Sequence, residues 1–157
     1  MSIDEYNGSA IVAMAGKECV AIGSDLRFGV EMRTIATDYK KVHRIHDQLY
    51  VGMAGLGTDA QTLTNLFRFR HNLYKLREER LMSPKTFGDF VSSLLYEKRF
   101  GPYYISPVIA GLESDGTPYL CTQDMVGAEE VAKDFVLAGA LLKCDGTADI
   151  GCFRDDA

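Results

Sequence analysis

Four residues in the first part of the chain have types and spacing that could support nucleophilic catalysis: Ser9, Asp25, Lys41 and Gly55. Asp25 follows Ser9 by 16 residues, Lys41 by 32 and Gly55 by 46. A hydroxyl is inert at neutral pH unless a nearby base takes its proton. A lysine oriented by an aspartate, with a backbone amide to hold the oxyanion, therefore makes a chemically sensible set. Spacing alone leaves a plainer interpretation open, in which Asp25 is a turn residue, Lys41 is solvated and Gly55 marks a bend.

The surroundings of Ser9 allow two interpretations. In NGSAIVAM, residues 7–14, three small residues, Asn7-Gly8-Ser9, come directly before an apolar run. Ser9 is therefore either a nucleophile at the mouth of a strand or part of a turn.

Strand patterns dominate the elements that would position these residues. Two apolar runs, residues 10–14 and 19–25, flank the turn signal Gly16-Lys17 and predict an opening hairpin. A second strand pair is predicted at RTIATD, residues 33–38, and KKVHRI, residues 40–45. The stretch QLYVGMAGLG, residues 48–57, is typical of a buried strand that runs into a glycine-punctuated loop.

Two amphipathic helices and further strands follow. The first helix is predicted from the N-cap signal Thr58-Asp59 to about Arg80, with the apolar stripe Leu63, Phe67, Leu73 and Leu76. The second has Ser83 as N-cap, Pro84 at its first position and the stripe Phe87, Phe90, Val91, Leu94 and Leu95. After it, SPVIAGLE and PYLCTQD predict a hairpin around residues 114–117, and KDFVLAG, residues 133–139, predicts a later strand.

This order of elements indicates an α+β fold in a single domain over residues 1–157, with helices packed outside antiparallel sheets. No glycine-rich phosphate loop follows a strand, so Rossmann and P-loop folds are not expected. The last segment, residues 140–157, fits neither the helix nor the strand period and ends in an acidic tail. We expect it to be poorly specified, with its end a candidate for disorder.

Composition excludes several classes of function. A net charge of -5 and scattered basic residues argue against nucleic-acid binding. Basic residues are densest in residues 67–80, where they are spaced among apolar residues as on the solvent-exposed face of an amphipathic helix. The four cysteines, which are Cys19, Cys121, Cys144 and Cys152, stand at no metal-binding spacing, so neither a metal nor any other cofactor is expected. With no signal peptide or membrane-spanning run recognised, the thiols are predicted to be reduced in an intracellular protein.

Several stretches closely resemble the proteasome beta-subunit family, and the resemblance runs from Met1 to about Val136. They are VAIGSDLRFG at 20–29, YKKV at 39–42, GMAGLGTDAQTL at 52–63, NLYKLREER at 72–80 and LLYEKRFGPYY at 94–104. The resemblance implies the N-terminal nucleophile hydrolase fold, a four-layer αββα sandwich of antiparallel sheets. The resemblance also implies a short leader at 1–8. The pattern departs after Val136, which implies a divergent tail at 137–157 and an incomplete C-terminal part whose loss would expose apolar faces.

The resemblance also implies a function. It is that of a non-catalytic structural beta subunit of the 20S core, which contributes to ring assembly and to ubiquitin- and ATP-dependent protein degradation. Its partners would be the other alpha and beta subunits of a hetero-oligomeric ring in the cytoplasm and nucleus, with no nucleic acid and no membrane involved.

In catalytic family members, the nucleophile is a Thr freed by cleavage after a Gly, and Asp and Lys stand at the positions of Asp25 and Lys41. The Thr position falls on Ser9 here. A family Ser expected in FVLAGA is replaced by Ala138 or its neighbours, and a later Asp would lie beyond Ala157. A partial constellation loses most of its catalytic power. The set is therefore predicted to be vestigial, the alternative being a peptidase that uses Ser9 after cleavage at Gly8.

One further residue comes from the resemblance alone. The stretch CTQDMVGA, residues 121–128, matches a segment that lends an acidic residue to the substrate pocket of a neighbouring trypsin-like subunit. Asp124 stands at that place and would favour basic side chains. The plainer interpretation is a hairpin aspartate in solvent. Ala128 stands where some relatives have a Cys, so this chain has no thiol at that position to line the neighbouring pocket.

Overall fold

The computed structural model describes residue 3, residues 6–138 and the backbone of residues 148–154. In the first half of the chain the strands are β1 (Ile11–Gly16), β2 (Cys19–Asp25), β3 (Phe28–Val30), β4 (Arg33–Ala36), β5 (Val42–His46) and β6 (Leu49–Gly55). Two helices follow, α1 (Gly57–Glu78) and α2 (Pro84–Glu97). The remaining strands are β7 (Ile105–Leu112), β8 (Pro118–Gln123), β9 (Glu129–Ala132), β10 (Phe135–Ala138) and β11 (Ala148–Arg154).

Two antiparallel sheets are stacked face to face. One has four strands in the order β10-β1-β2-β11, and the other has five in the order β5-β6-β7-β8-β9. Apolar side chains from both, such as Ile11, Ile22 and Val108, form the core between them. Burying these inner faces supplies most of the drive for the two sheets to stack.

The two helices cover the other face of the five-stranded sheet. Phe67 of α1 and Phe87 of α2 are fully buried there, with their rings edge-on at 5.4 Å between centroids. The layer order is therefore helices, sheet, sheet, and the predicted α+β sandwich of antiparallel sheets is confirmed. In the part of the chain that the structure describes, one helix layer of the implied four-layer arrangement is present.

The opening hairpin forms as predicted, with Gly16 opposite Cys19 across a turn where Glu18 has a φ of 55°. The second predicted strand pair is wrong. Both strands exist, but β4 pairs with β3, and β5 pairs with β6. Each strand pairs with its other neighbour in sequence, because the apolar β6 offers β5 a buried partner that the exposed β4 does not.

The second helix begins as predicted, because the Ser83 side chain accepts a hydrogen bond from the Thr86 N–H. The predicted start of α1 is wrong. This helix begins after Leu56, and Asp59 instead accepts a hydrogen bond from the Tyr104 N–H at 2.9 Å. Its predicted stripe also fails at Leu76, which is 80% exposed in a last turn whose residues 75–78 are all exposed.

The expectation of a poorly specified tail is wrong for residues 148–154. These residues form β11, which pairs antiparallel with the edge of β2 from Ala148 opposite Asp25 to Arg154 opposite Cys19. Backbone hydrogen bonds to a free strand edge can order a segment whose side-chain pattern is irregular. The acidic end predicted to be disordered, residues 155–157, lies outside the described residues. Neither of the two helices is long and apolar enough to cross a membrane, over the part of the chain that the structure describes.

Candidate functional site

Ser9 lies two residues before β1 and is only 6% exposed. Its Oγ accepts a hydrogen bond from the Gly55 N–H at 3.2 Å. Gly55 ends β6 with a φ of +122°, and a Cβ there would lie 2.3 Å from the Tyr104 carbonyl oxygen. Only glycine fits this conformation and this close approach. The fold thus brings the serine hydroxyl and the backbone amide together across 46 residues of sequence.

Asp25 and Lys41 form a buried ion pair beside this serine. Lys41 Nζ donates to Asp25 Oδ1 at 2.7 Å, and the two side chains are 4% and 8% exposed respectively. The same carboxylate accepts the Ala10 N–H at 3.0 Å and the Arg27 N–H at 3.3 Å. Several donors therefore satisfy the aspartate, which makes a buried charge tolerable. The burial of both charges disfavours the plainer interpretation of a solvated lysine.

Ser9, Lys41 and Gly55 line one small cavity, together with Phe28 and Tyr39. Its volume is about 10 Å³, which is at most the space of a single water molecule. The Phe28 and Tyr39 rings lie 4.7 Å apart at one wall, where burial raises the pKa of the Tyr39 hydroxyl. A peptide cannot enter a space of this size.

The chemistry available at this site is limited. The nitrogen of Ser9 is part of the peptide bond to Gly8, so in this chain it is an amide and cannot take a proton as a base. The Gly55 N–H, which would hold an oxyanion, already bonds to the serine oxygen. In this chain the site therefore has a serine hydroxyl and a buried charged pair beside a cavity of about 10 Å³.

Sequence reasoning missed Asn7 as part of this site. Asn7 lines the cavity and is 6% exposed. Its Nδ2 donates to the Gly29 carbonyl at 2.9 Å, and its Oδ1 accepts the Gly57 N–H at 2.9 Å. The only signal in the sequence is the Asn-Gly step before Ser9, in which Gly8 takes a φ of +61°.

Asp124 and Ala138 are not among the residues that line the Ser9 cavity. Asp124 is exposed in the turn between β8 and β9, where its Oδ1 accepts the N–H groups of Val126 at 3.0 Å and Ala128 at 2.7 Å. It also borders an open surface depression with Thr122 and Glu130. Ala138 ends β10 opposite Ile11 and is buried.

Cys121 of β8 is a buried free cysteine. Burial raises the pKa of the Cys121 thiol to about 12, which keeps it protonated and a poor nucleophile at neutral pH. Over the residues the structure describes, no three histidine, cysteine or acidic side chains are grouped so as to hold a metal ion.

Comparison with known proteins agrees with this architecture. A family model described as a proteasome subunit matches residues 5–142. The chain belongs to the proteasome subunit family. It is 64% identical over 139 residues to "Proteasome subunit beta type-3" of Picea mariana, an overlap that covers 88% of this chain and 68% of that protein.

The chain is also similar in sequence to other proteasome subunits. The chain is 60% identical to "Proteasome subunit beta type-3-A" of Arabidopsis thaliana and 55% identical to "Probable proteasome subunit beta type-3" of Schizosaccharomyces pombe. Each overlap again covers 88% of this chain and 68% of the relative. The resemblance to proteasome beta subunits that was stated from the sequence motifs is confirmed.

Proposed function

We propose that this chain is a non-catalytic structural subunit of the beta ring of the 20S proteasome core, a complex that hydrolyses proteins with threonine nucleophiles. Support comes from its similarity to proteasome subunits named beta type-3 and from the closed geometry around Ser9. Its role is to present shaped surfaces to neighbouring alpha and beta subunits. It thereby contributes to assembly of the ring and to ubiquitin- and ATP-dependent degradation by the whole complex.

The small size of the cavity beside Ser9 carries the non-catalytic part of this proposal. The cavity beside Ser9 holds about 10 Å³, while the Ser9 nitrogen is bonded to Gly8. An N-terminal nucleophile needs a free amine and an open approach for the scissile carbonyl. The rival function, a peptidase that uses Ser9 after cleavage at Gly8, would require both a broken peptide bond and an opened cavity.

The need for partners is consistent with the outer face of the four-stranded sheet. Met14 of β1 and Phe135 and Leu137 of β10 are each more than half exposed on adjacent, paired strands. Contiguous apolar surface of this kind marks an interaction site or a liability to aggregation. We therefore propose that the chain acts within a hetero-oligomeric ring in the cytoplasm and nucleus.

We further propose that Asp124 faces the substrate pocket of an adjacent subunit. Its carboxylate is exposed beside Glu130 at one surface depression, and only Oδ1 is used to hold the turn. Two acidic groups at one surface would favour basic side chains in a neighbouring cleft. Asp124→Asn retains the acceptor oxygen for the turn but removes the charge. Complexes that contain it should cleave after basic residues less efficiently and after apolar residues at an unchanged rate.

The decisive experiment is expression of the tagged full chain in a cell, with purification under native conditions and mass spectrometry of the associated proteins. The proposal expects alpha and beta proteasome subunits in fixed ratio, and a chain that retains the residues before Ser9. A chain that begins at Ser9 and forms a covalent adduct there with an electrophilic proteasome inhibitor would instead support the peptidase. Recovery of the chain with no other proteasome subunits bound would contradict the structural role.

A further inference from the structure

The turn before Ser9 is fixed by hydrogen bonds that the proposed assembly role does not require. Asn7 is almost fully buried, and its side-chain amide bonds to residues 22 and 50 positions away in sequence. One partner, Gly29, is in the middle of the short strand β3, and the other, Gly57, is the first residue of α1. Asn7 thus joins the leader, a hairpin and a helix N-terminus at one point.

These contacts use the hydrogen-bond donors that face the cavity. The Gly57 N–H is taken by Asn7 Oδ1, and the Gly55 N–H is taken by Ser9 Oγ. Both glycines line the cavity, so an incoming carbonyl or carboxylate oxygen would find each of these amides already occupied. Because Leu56 cannot cap the helix with its side chain, the asparagine also supplies an acceptor that α1 lacks locally.

The backbone of the turn supports the same closure. The Tyr6 carbonyl accepts the Glu31 N–H at 3.1 Å, which adds a second bond from the leader to the β3–β4 hairpin. Gly8, at φ +61°, turns the chain between the two anchored residues Asn7 and Ser9. The segment 6–9 is therefore held across the cavity at both of its ends.

We propose that Asn7 is a latch that closes the Ser9 cavity through its two hydrogen bonds. Its removal frees the Gly57 N–H and lets residues 6–9 swing away, so that the Ser9 side chain becomes accessible to small carbonyl compounds and other electrophiles. The latch is a property of this chain alone and does not depend on assembly into a ring. Its failure and the failure of the structural role are therefore distinguishable.

The test places a thiol reporter at the site. In the Ser9→Cys chain, the thiolate sulfur forms a bond to the methylene carbon of iodoacetamide as the carbon–iodine bond breaks, iodide leaves and the thiol proton passes to solvent. Peptide mapping gives the labelling rate at residue 9. The buried core thiol of Cys121 reports unfolding of the whole chain in the same sample.

Two variants separate hydrogen bonding from simple filling of space. Asn7→Ala removes both bonds and the volume, whereas Asn7→Leu removes the bonds but approximately keeps the volume. Loss of the two internal hydrogen bonds should speed local opening by about tenfold or more. We expect that increase at residue 9 in both variants, with little change at Cys121. The control Asn72→Ala, on the exposed side of α1, should change neither rate.

Amide hydrogen exchange gives an independent measurement in the chain that keeps Ser9. The Gly57 amide should exchange about tenfold faster in Asn7→Ala, with the β7 amides at the centre of the sheet unaffected. The latch is overturned if residue 9 labels equally fast with and without Asn7. It is also overturned if residues 9 and 121 accelerate in the same proportion, or if Asn7→Leu protects as well as asparagine.

Discussion

The buried ion pair of Lys41 and Asp25 allows a quantitative test of how much the residues beside Ser9 contribute to the stability of the fold. Lys41→Met keeps the length of the side chain and removes its charge. Asp25 then keeps its bonds to the Ala10 and Arg27 N–H groups but loses the ammonium 2.7 Å away. Removal of one partner from a buried pair leaves an uncompensated charge and typically costs about 3–5 kcal/mol. Because the backbone donors remain, we expect the lower end, about 3 kcal/mol.

The double variant Asp25→Asn/Lys41→Met tests whether the loss of stability comes from an unpaired buried charge. With both charges gone, no buried ion is left unpaired, so the double variant should be more stable than Lys41→Met alone. Such recovery would show that the pair is retained because each charge requires the other.

The assay is urea unfolding of the full chain followed by circular dichroism, with the free energy taken from the midpoint and slope. Lys40→Met is the matched control, since it is the same substitution at the adjacent exposed lysine and should change stability by less than about 0.5 kcal/mol. A loss below about 1 kcal/mol for Lys41→Met would refute the argument, because it would mean that water or another group compensates Asp25.

Three further predictions concern positions outside the ion pair. Gly55→Ala places a Cβ against a carbonyl oxygen at a φ of +122° and should destabilise by more than about 2 kcal/mol, whereas Gly101→Ala, with open space around it, should be neutral in the same denaturation assay. Ser83→Ala removes the N-cap of α2 and should cost about 1 kcal/mol, measured by thermal unfolding. Burial and the stacked His46 lower the pKa of His71 below 6.5, so the unfolded state binds more protons and stability falls as pH drops below about 6.5. His71→Asn should flatten that slope between pH 7.5 and 5.5, and an unchanged slope would contradict the assignment.

Much of the architecture could be predicted because its causes are local. The start of α2 follows from Ser83 and Pro84, which act within one turn of helix. The opening hairpin follows from two apolar runs around Gly16-Lys17. Pairing partners could not be predicted in the same way, since β10 and β11 pair with β1 and β2, which lie near the other end of the chain. Strand pairing depends on which edges the whole fold leaves free.

The candidate site could likewise be predicted only in part. Residue types and the resemblance to proteasome beta subunits identified Ser9, Asp25, Lys41 and Gly55 as a set. Only the tertiary structure decided that the lysine and aspartate are buried together, that the cavity they adjoin holds about 10 Å³, and that Asn7 spans it. The sequence determined which groups are present and which short segments form helices and strands. Distances, burial and enclosure were decided by the stacking of the sheets and helices, because these depend on contacts between residues far apart along the chain.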